Sequence, residues 1–307
     1  MPQRGNPDVD PPAAAGIEQI YADIRSRLGS GTGGEVAPST AAPGIAVVPL
    51  RTPTLPPATH TGCYLVGDRA LVAIDPASPW PDEQDRLLAA LPAGAHVALI
   101  ALTHHHGDHV GAATALAART GAPIAAHPAT AARLAGRVAV TRALADGEVI
   151  ATDGERLRVL HTPGHAPGHL VFQAEGSGAV IAGDLVAGLG TILIDPGPGE
   201  GHMATYLASL ERLLALGVGA LLPAHGPVIA DGPAKLREYL AHRRMREERV
   251  AAALTAAPQP SADLVAVAYA DTPPALAPIA ERSLLAHLVK LAEDGRARAV
   301  GDRWQRA

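Results

Sequence analysis

From Ile45 onward, short runs of apolar and β-branched residues alternate with turn residues, the pattern of strands that meet a core. IAVVPL (45–50), CYLVG (63–67) and ALVAID (70–75) are the first three. A helix over Pro81–Leu91, a strand HVALIAL (96–102) and a helix from about Asp108 to Arg119 follow. RLRVLH (156–161), HLVFQAE (169–175) and GAVIAGD (178–184) read as further strands, the last two joined by the turn Gly176-Ser177-Gly178. Over Met203–Leu216, a helical period puts Met203, Leu207, Leu210 and Leu214 on one face, and Gly217 stops the helix before the strand ALLPAH. Strands come first, with helices interleaved in both halves, and this order predicts an α+β fold, an αββα sandwich.

The pattern changes at both ends. Residues 1–44 read as an extension and linker: an amphipathic piece, Ile17–Leu28, precedes the Gly/Ser/Pro/Ala-rich stretch 29–44. The sandwich is expected over 45–232 and a helical linker with a second small domain over 233–307. There, a long helix from about Pro233 to Ala256 carries HRRMREER and ends before Pro258 and Pro260. Ser261 is placed to cap a short helix running to Tyr269. PIAERSLLAHLVKLAEDG makes a helix with Leu284, Leu285, Leu288 and Leu291 inward and Gly295 past its end. RARAVGDRWQR reads as a hairpin turning at Gly301-Asp302. Helix, helix, hairpin is the plan of a winged helix.

Composition narrows the function classes. A chain of 307 residues with 48% hydrophobic and 18% charged residues is globular in type, and its net charge of −5 argues against a general nucleic-acid or membrane binder. With only 3% aromatic residues, base-stacking platforms are scarce. The single cysteine, Cys63, excludes an intramolecular disulfide and a Cys-rich zinc module, and its apolar neighbours mark it as a small buried hydrophobe. The N-terminus lacks the apolar core of a signal peptide, and no run approaches the roughly 18 apolar residues that span a membrane, so a cytoplasmic location without a membrane partner is expected.

The chemistry concentrates in ALTHHHGDHVG, 101–111. Alternate residues of an extended segment point the same way, so His104 and His106 can reach one ion together. Asp108 and His109, at the start of the next helix, turn toward a neighbouring point. His165 lies in LHTPGHAPGH, Asp184 in IAGDLV and His225 in LLPAHGP, each at the end of an apolar strand, so all are expected at one edge of the sandwich. Seven nitrogen and oxygen donors without sulfur suit two zinc ions, with iron or manganese chemically open. His105 falls on the opposite side of the segment and is expected to be no ligand. His161 and His169 flank the His165 loop, where a hydrogen bond to a ligand residue is expected ahead of direct substrate contact. His202 and Tyr206 follow the loop DPGPGEGH, which either overhangs the site or lies on the surface.

THHHGDHVG, HTPGH, GD and PAHG, in that order, resemble the metallo-β-lactamase superfamily over about residues 45–230. The resemblance implies that His104, His106 and His165 hold a first zinc, that Asp108, His109 and His225 hold a second, and that Asp184 bridges them. Asp75 in VAIDPAS would then support a ligand histidine from behind. True metallo-β-lactamases lack the bridging aspartate, so Asp184 argues against antibiotic hydrolysis. Too few residues separate Asp184 from His225 for the inserted domain of the β-CASP nucleases. Residues from about 235 to 307 resemble the winged-helix tail of the β-lactamase-like protein 2 group, whose members include a single-strand endoribonuclease and thioesterases that release polyketides from carrier proteins.

What this implies is a binuclear zinc hydrolase in which a metal-bound hydroxide attacks the substrate and Asp108 orients it and moves a proton. A thioester or other activated ester, small or carrier-bound, ranks first as substrate and single-stranded RNA second. A mononuclear iron persulfide dioxygenase shares the fold and is distinguished by its metal. An RNA partner would be met by phosphate contacts from Arg243, Arg244, Arg246 and Arg249, the one basic cluster of a tail whose charge is slightly positive. The favoured alternative is that the tail packs on the sandwich and narrows the mouth of the site, with those arginines in solvent.

Overall fold

The computed structural model describes residue 26 and residues 33–307, so the expected helical piece Ile17–Leu28 lies outside the described residues except for Ser26. Seven strands form one sheet in chain order: β1 (Ser39–Ala42), β2 (Ile45–Arg51), β3 (His60–Val66), β4 (Ala70–Ile74), β5 (His96–Ala101), β6 (Ile124–Ala126) and β7 (Arg142–Ala143). The first four pair antiparallel and the rest parallel. A second sheet has the order β12-β11-β10-β9-β8, from β8 (Val149–Ala151), β9 (Arg156–His161), β10 (Leu170–Ala174), β11 (Val180–Gly183) and β12 (Leu221–Pro223).

Val66, Ile74 and Leu99 of the first sheet meet Val159, Phe172 and Ile181 of the second in a dry interior. The outer face of the first sheet is covered by α1 (Pro81–Ala89), α3 (Ala113–Thr120) and α4 (Pro128–Leu134), which bury Leu87, Leu116 and Leu134 against Val48, Leu65 and Ile100. On the second sheet, α5 (Met203–Ala215) buries Met203, Leu210 and Leu213 against Val171 and Val180. The αββα layering follows, and burial on both faces explains why the strands read as continuous apolar runs.

Several boundaries differ from those read along the chain. β1 lies inside the stretch expected to be linker, where Ser39 and Thr40 pair with Val47 and Ala46. The helix expected over 108–119 is broken into α2 (Gly107–Val110) and α3. The Ala112 N–H is taken by the Pro76 carbonyl at 2.8 Å, and Gly111 packs so closely on Ala77–Pro79 that a Cβ would lie 2.5 Å from the Ala77 oxygen. Strands β6, β7 and β8 have three residues or fewer, too short for a periodic signal.

α6 (Gly232–Ala253) is shared between two cores. Its Leu236, Tyr239 and Leu240 join the core under α5, whereas Val250 joins Leu264, Leu284, Leu288 and Trp304. One helix is thus common to both cores. Beyond it come β13 (Gln259–Pro260), α7 (Ser261–Ala268), α8 (Ala277–Glu293), β14 (Ala297–Val300) and β15 (Arg303–Arg306), with strand order β13-β15-β14. Pro260, not Ser261, is the capping residue of α7; the Ser261 hydroxyl donates to Glu281. Among the described residues, no helix is long and apolar enough to cross a membrane.

Candidate metal centre

Strand ends deliver the polar residues to one edge. β5 runs out into the extended segment holding His104 and His106, and α2 starts at Gly107, so Asp108 and His109 sit in its first turn. His165 comes from the loop between β9 and β10, Asp184 follows β11, and His225 follows β12. Gly183 is in the left-handed region (φ 49), and a Cβ there would lie 2.8 Å from His169 Nε2. The bare backbone lets His169 accept the Asp184 N–H at 3.1 Å.

Two clusters gather the expected donors, and among the described residues a further group, His105, His106 and Glu200, lies beside the first. His104 Nε2, His106 Nδ1 and His165 Nε2 lie between 2.9 and 3.2 Å from one another. Asp108, His109 and His225 form a second group of closely spaced donors. Asp184 faces both: Oδ2 lies 3.5 Å from His165 Nε2, and Oδ1 lies 3.5 Å from His109 Nε2 and 3.4 Å from His225 Nε2. Asp108 Oδ2 is 3.6 Å from His225 Nε2.

Whether these atoms suit cations is decided by the other nitrogen of each ring. Thr103 Oγ1 donates to Asp75 at 2.6 Å and so accepts the proton of His104 Nδ1, 2.9 Å away. His165 Nδ1 donates to the Leu193 carbonyl at 2.9 Å, and His225 Nδ1 to the His60 carbonyl at 3.0 Å. His109 Nδ1 meets Asp75 Oδ2 at 2.8 Å, and His106 Nε2 meets Glu200 Oε2 at 3.4 Å. With these five protons directed outward, five lone pairs point inward. Among the described residues, His109 Nε2 and Asp184 Oδ1 are buried with no hydrogen-bond partner. Buried, unpartnered acceptors gathered around common points fit divalent cations and little else.

The electrostatics of the first cluster agree. Burial, followed by the neighbouring His109, His106 and His165, pushes the His104 imidazole well below its ordinary range, so the ring is neutral as a ligand must be. Burial pushes His165 down to about 4. Burial alone would raise the Asp184 carboxyl, but His225 and His109 beside it hold it well below the usual carboxylate range. Burial likewise opposes ionisation of Asp108, and His109 and His225 outweigh it. In the second cluster, burial is outweighed by Asp184, Asp75 and Asp108, which hold His109 well above the ordinary imidazole range, and by Asp184 and Asp108, which hold His225 above it. A cation binding there therefore displaces protons.

The supporting residues are only partly those read from the sequence. Asp75 binds the Thr103 N–H, the Thr103 hydroxyl and His109, thereby backing one histidine of each cluster. His169 backs the Asp184 backbone. His161 supports no ligand; it bonds the Pro167 carbonyl at 2.9 Å and stacks on His127. Tyr206 is buried with its hydroxyl on the Leu185 carbonyl, and His202 caps α5 and pairs with Glu293 at 2.8 Å. Glu200 is the residue that sequence reasoning misses. It bonds His105 Nε2 at 3.1 Å and is held by Arg133 at 3.1 Å, so His105 supports the centre through a carboxylate. The one available signal is its position in the glycine-rich loop before His202.

The four arginines of the basic cluster do not share one solvent-facing surface. Arg243 is buried, its guanidinium on the Ile192 carbonyl and 5.5 Å over the Tyr206 ring. Arg246 pairs with Asp271 at 2.7 and 3.2 Å and lies over Tyr269, and Arg249 shares the same carboxylate. Arg244, the most exposed of the four, pairs with Glu211. Helical periodicity turns Arg243 inward from the run expected to face solvent.

A cleft of about 600 Å³ opens onto His106, Asp108, His165, Asp184 and His225. Residues 57–225 match the Metallo-beta-lactamase superfamily, and 261–304 match the Beta-lactamase associated winged helix domain. The chain belongs to the Metallo-beta-lactamase superfamily, whose members are typically metal-dependent hydrolases, and it carries the associated winged helix. It is 33% identical to the lactamase-like protein aptB of Emericella nidulans over 63% of this chain and 60% of that one. It is 31% identical to the beta-lactamase-like protein 2 homolog of Drosophila melanogaster over 66% of this chain and 71% of that one. A metallo-beta-lactamase family protein of Thermus thermophilus superposes with a TM-score of 0.72 at 26% identity, covering 86% of this chain and 99% of that one.

Proposed function

We propose that the chain is a binuclear zinc-dependent hydrolase of a thioester or other activated ester with an apolar acyl group. The observation that carries this reading is the lining of the cleft. Its walls include Leu55, Leu189, Ile192, Leu193, Val228 and Ile279, and no lysine or arginine is among the described residues that line it. An RNA strand brings a negative charge at every nucleotide and is met by Lys and Arg. A cation-free apolar cleft suits a neutral acyl group, free or delivered by a carrier, and disfavours RNA.

His104, His106 and His165 would hold one ion and Asp108, His109 and His225 the other, with Asp184 shared between them. When bound, such ions supply Lewis-acid polarisation of the acyl carbonyl and make water acidic near neutral pH. Asp108 lines the cleft, which supports a role in which it takes a proton from water and returns it to the leaving group. Asp75, Glu200 and the Leu193 and His60 carbonyls hold the imidazoles in one tautomer. The catalytic unit would run from β1 into the first half of α6, and the winged-helix unit from its second half onward.

The test is turnover of zinc-loaded protein on acyl thioesters of increasing apolar length, beside single-stranded RNA and a persulfide, with metal analysis. Close to two equivalents of zinc and kcat/KM rising with acyl length are expected. One equivalent of iron with persulfide oxidation, or RNA cleavage without thioester hydrolysis, would overturn the reading.

A further inference from the structure

Between β11 and α5, one loop touches two of the three histidines of the first cluster. The Leu193 carbonyl takes the His165 proton at 2.9 Å, and the Glu200 carboxylate faces His106 at 3.4 Å. A loop that orients two ligands needs an anchor, because few bonds of its own oppose local opening. Its far end, Pro198–Glu200, is held within the catalytic unit by Arg133 of α4, whereas the anchor of its near end comes from the C-terminal domain. Arg282 on α8 places Nε 2.9 Å from Asp195 Oδ2 and Nη2 on Asp195 Oδ1, a two-pronged pair whose side chains are only 11% and 4% exposed. Asp195 also accepts the Gly197 N–H at 2.8 Å, and its carbonyl takes the Gly201 N–H at 2.6 Å. From α6, the buried Arg243 reaches the Ile192 carbonyl, three residues earlier in the same loop. Two buried guanidinium groups from the C-terminal part therefore grip residues 192–195, the segment that contains Leu193.

We propose that Arg282 is a positioning residue: through Asp195, the winged-helix domain fixes segment 192–197 and so holds His165, through the Leu193 carbonyl, in the orientation that retains the first metal ion. The planar guanidinium and the carboxylate meet in one geometry, so the clasp defines the loop's place as well as its attachment. Residues that orient a ligand from behind typically alter metal affinity about 10–100-fold when removed. The proposal rests on the metal-site half of the hydrolase reading and is independent of the substrate.

The experiment titrates Zn2+ into the full-length metal-free protein against a competing chelator, with the two binding steps assigned by His165→Ala and His225→Ala. Arg282→Gln and Asp195→Asn should each weaken the step lost in His165→Ala by roughly tenfold or more and leave the step lost in His225→Ala little changed. The double variant should be no worse than the weaker single, because the two residues act as one unit. Amide exchange in the metal-free protein should quicken over residues 192–197 in Arg282→Gln while the β14–β15 hairpin keeps its protection. That readout needs neither metal nor substrate, so it stands even if no ester is hydrolysed. Wild-type affinity at both steps would overturn the proposal. So would equal losses at both steps with faster exchange throughout α7, α8 and the hairpin, since Arg282 would then only hold the domain together.

Discussion

The two donor clusters rest on different foundations. In the second cluster, His109 and His225 are backed by strand ends: Asp75, just past β4, takes His109, and the carbonyl of His60, at the start of β3, takes His225. Asp75 is held by three hydrogen bonds with its backbone at φ 52, a conformation that residues other than glycine seldom adopt. In the cluster of His104, His106 and His165, only His104 leans on that same framework, through Thr103. His106 and His165 depend on Glu200 and Leu193, both in one loop. A ligand's identity is thus a local matter, whereas its orientation is borrowed, in one cluster from the sheet and in the other from a loop braced by another part of the chain.

Replacing the residue common to both clusters should have the largest effect. Asp184→Ala removes the oxygens that face both, and it should cost at least one equivalent of metal and lower turnover on the order of a hundredfold or more. Metal analysis beside kcat reads this outcome. Full metal content with ordinary turnover would break the picture of two clusters sharing a carboxylate.

Asp75→Ala addresses the sheet-backed side. It leaves the Thr103 N–H, the Thr103 hydroxyl and His109 Nδ1 buried without an acceptor, at about 1–3 kcal/mol for each group. Thermal unfolding of the metal-free protein should shift down accordingly, and affinity at the step assigned to His225 should fall about 10–100-fold. Glu200→Gln addresses the loop-backed side and should weaken only the step assigned to His165, by about tenfold, with little change in unfolding temperature. A larger loss at the His225 step would invert the comparison.

His105→Gln should be milder still, a few-fold loss in turnover, because His105 acts only through Glu200. A loss as large as that of Asp184→Ala would show that the register of the HHHGDH segment is assigned wrongly. The smallest effect is expected from Arg244→Gln with Arg249→Gln: these partly exposed ion pairs contribute about 0–1 kcal/mol each, and ester hydrolysis should stay within a few-fold of wild type. Tight binding of single-stranded RNA at physiological salt, lost in this double variant, would restore a nucleic-acid role to the tail.

The candidate donor set is legible in the sequence because each member stands within a few residues of an apolar run whose strand character is local. His104, His106, His165, Asp184 and His225 all follow strands that the pattern alone identifies, and strand ends of one sandwich share an edge. Other features have no such signature. β6, β7 and β8 are too short to show a period, and β1 is made a strand by pairing with β2 despite its Ser/Thr/Ala composition. Glu200 becomes a partner of His105 and His106 only when the loop folds back across 95 and 94 positions of chain.

Arg243 marks the dividing line. Its basic run HRRMREER resembles a solvated face, yet Leu236, Tyr239, Leu240, Arg243, Glu247 and Val250 fall at three- and four-residue spacing and form the buried stripe of α6. The donor types, their order and the strands that carry them are written in the linear chain, since those depend on neighbours along it. Which carboxylates and carbonyls back each imidazole, and that the tail's arginines grip the loop beside the site, emerge only on folding. Such contacts join residues far apart in sequence, and a buried charge is tolerated only where the fold brings a partner to it.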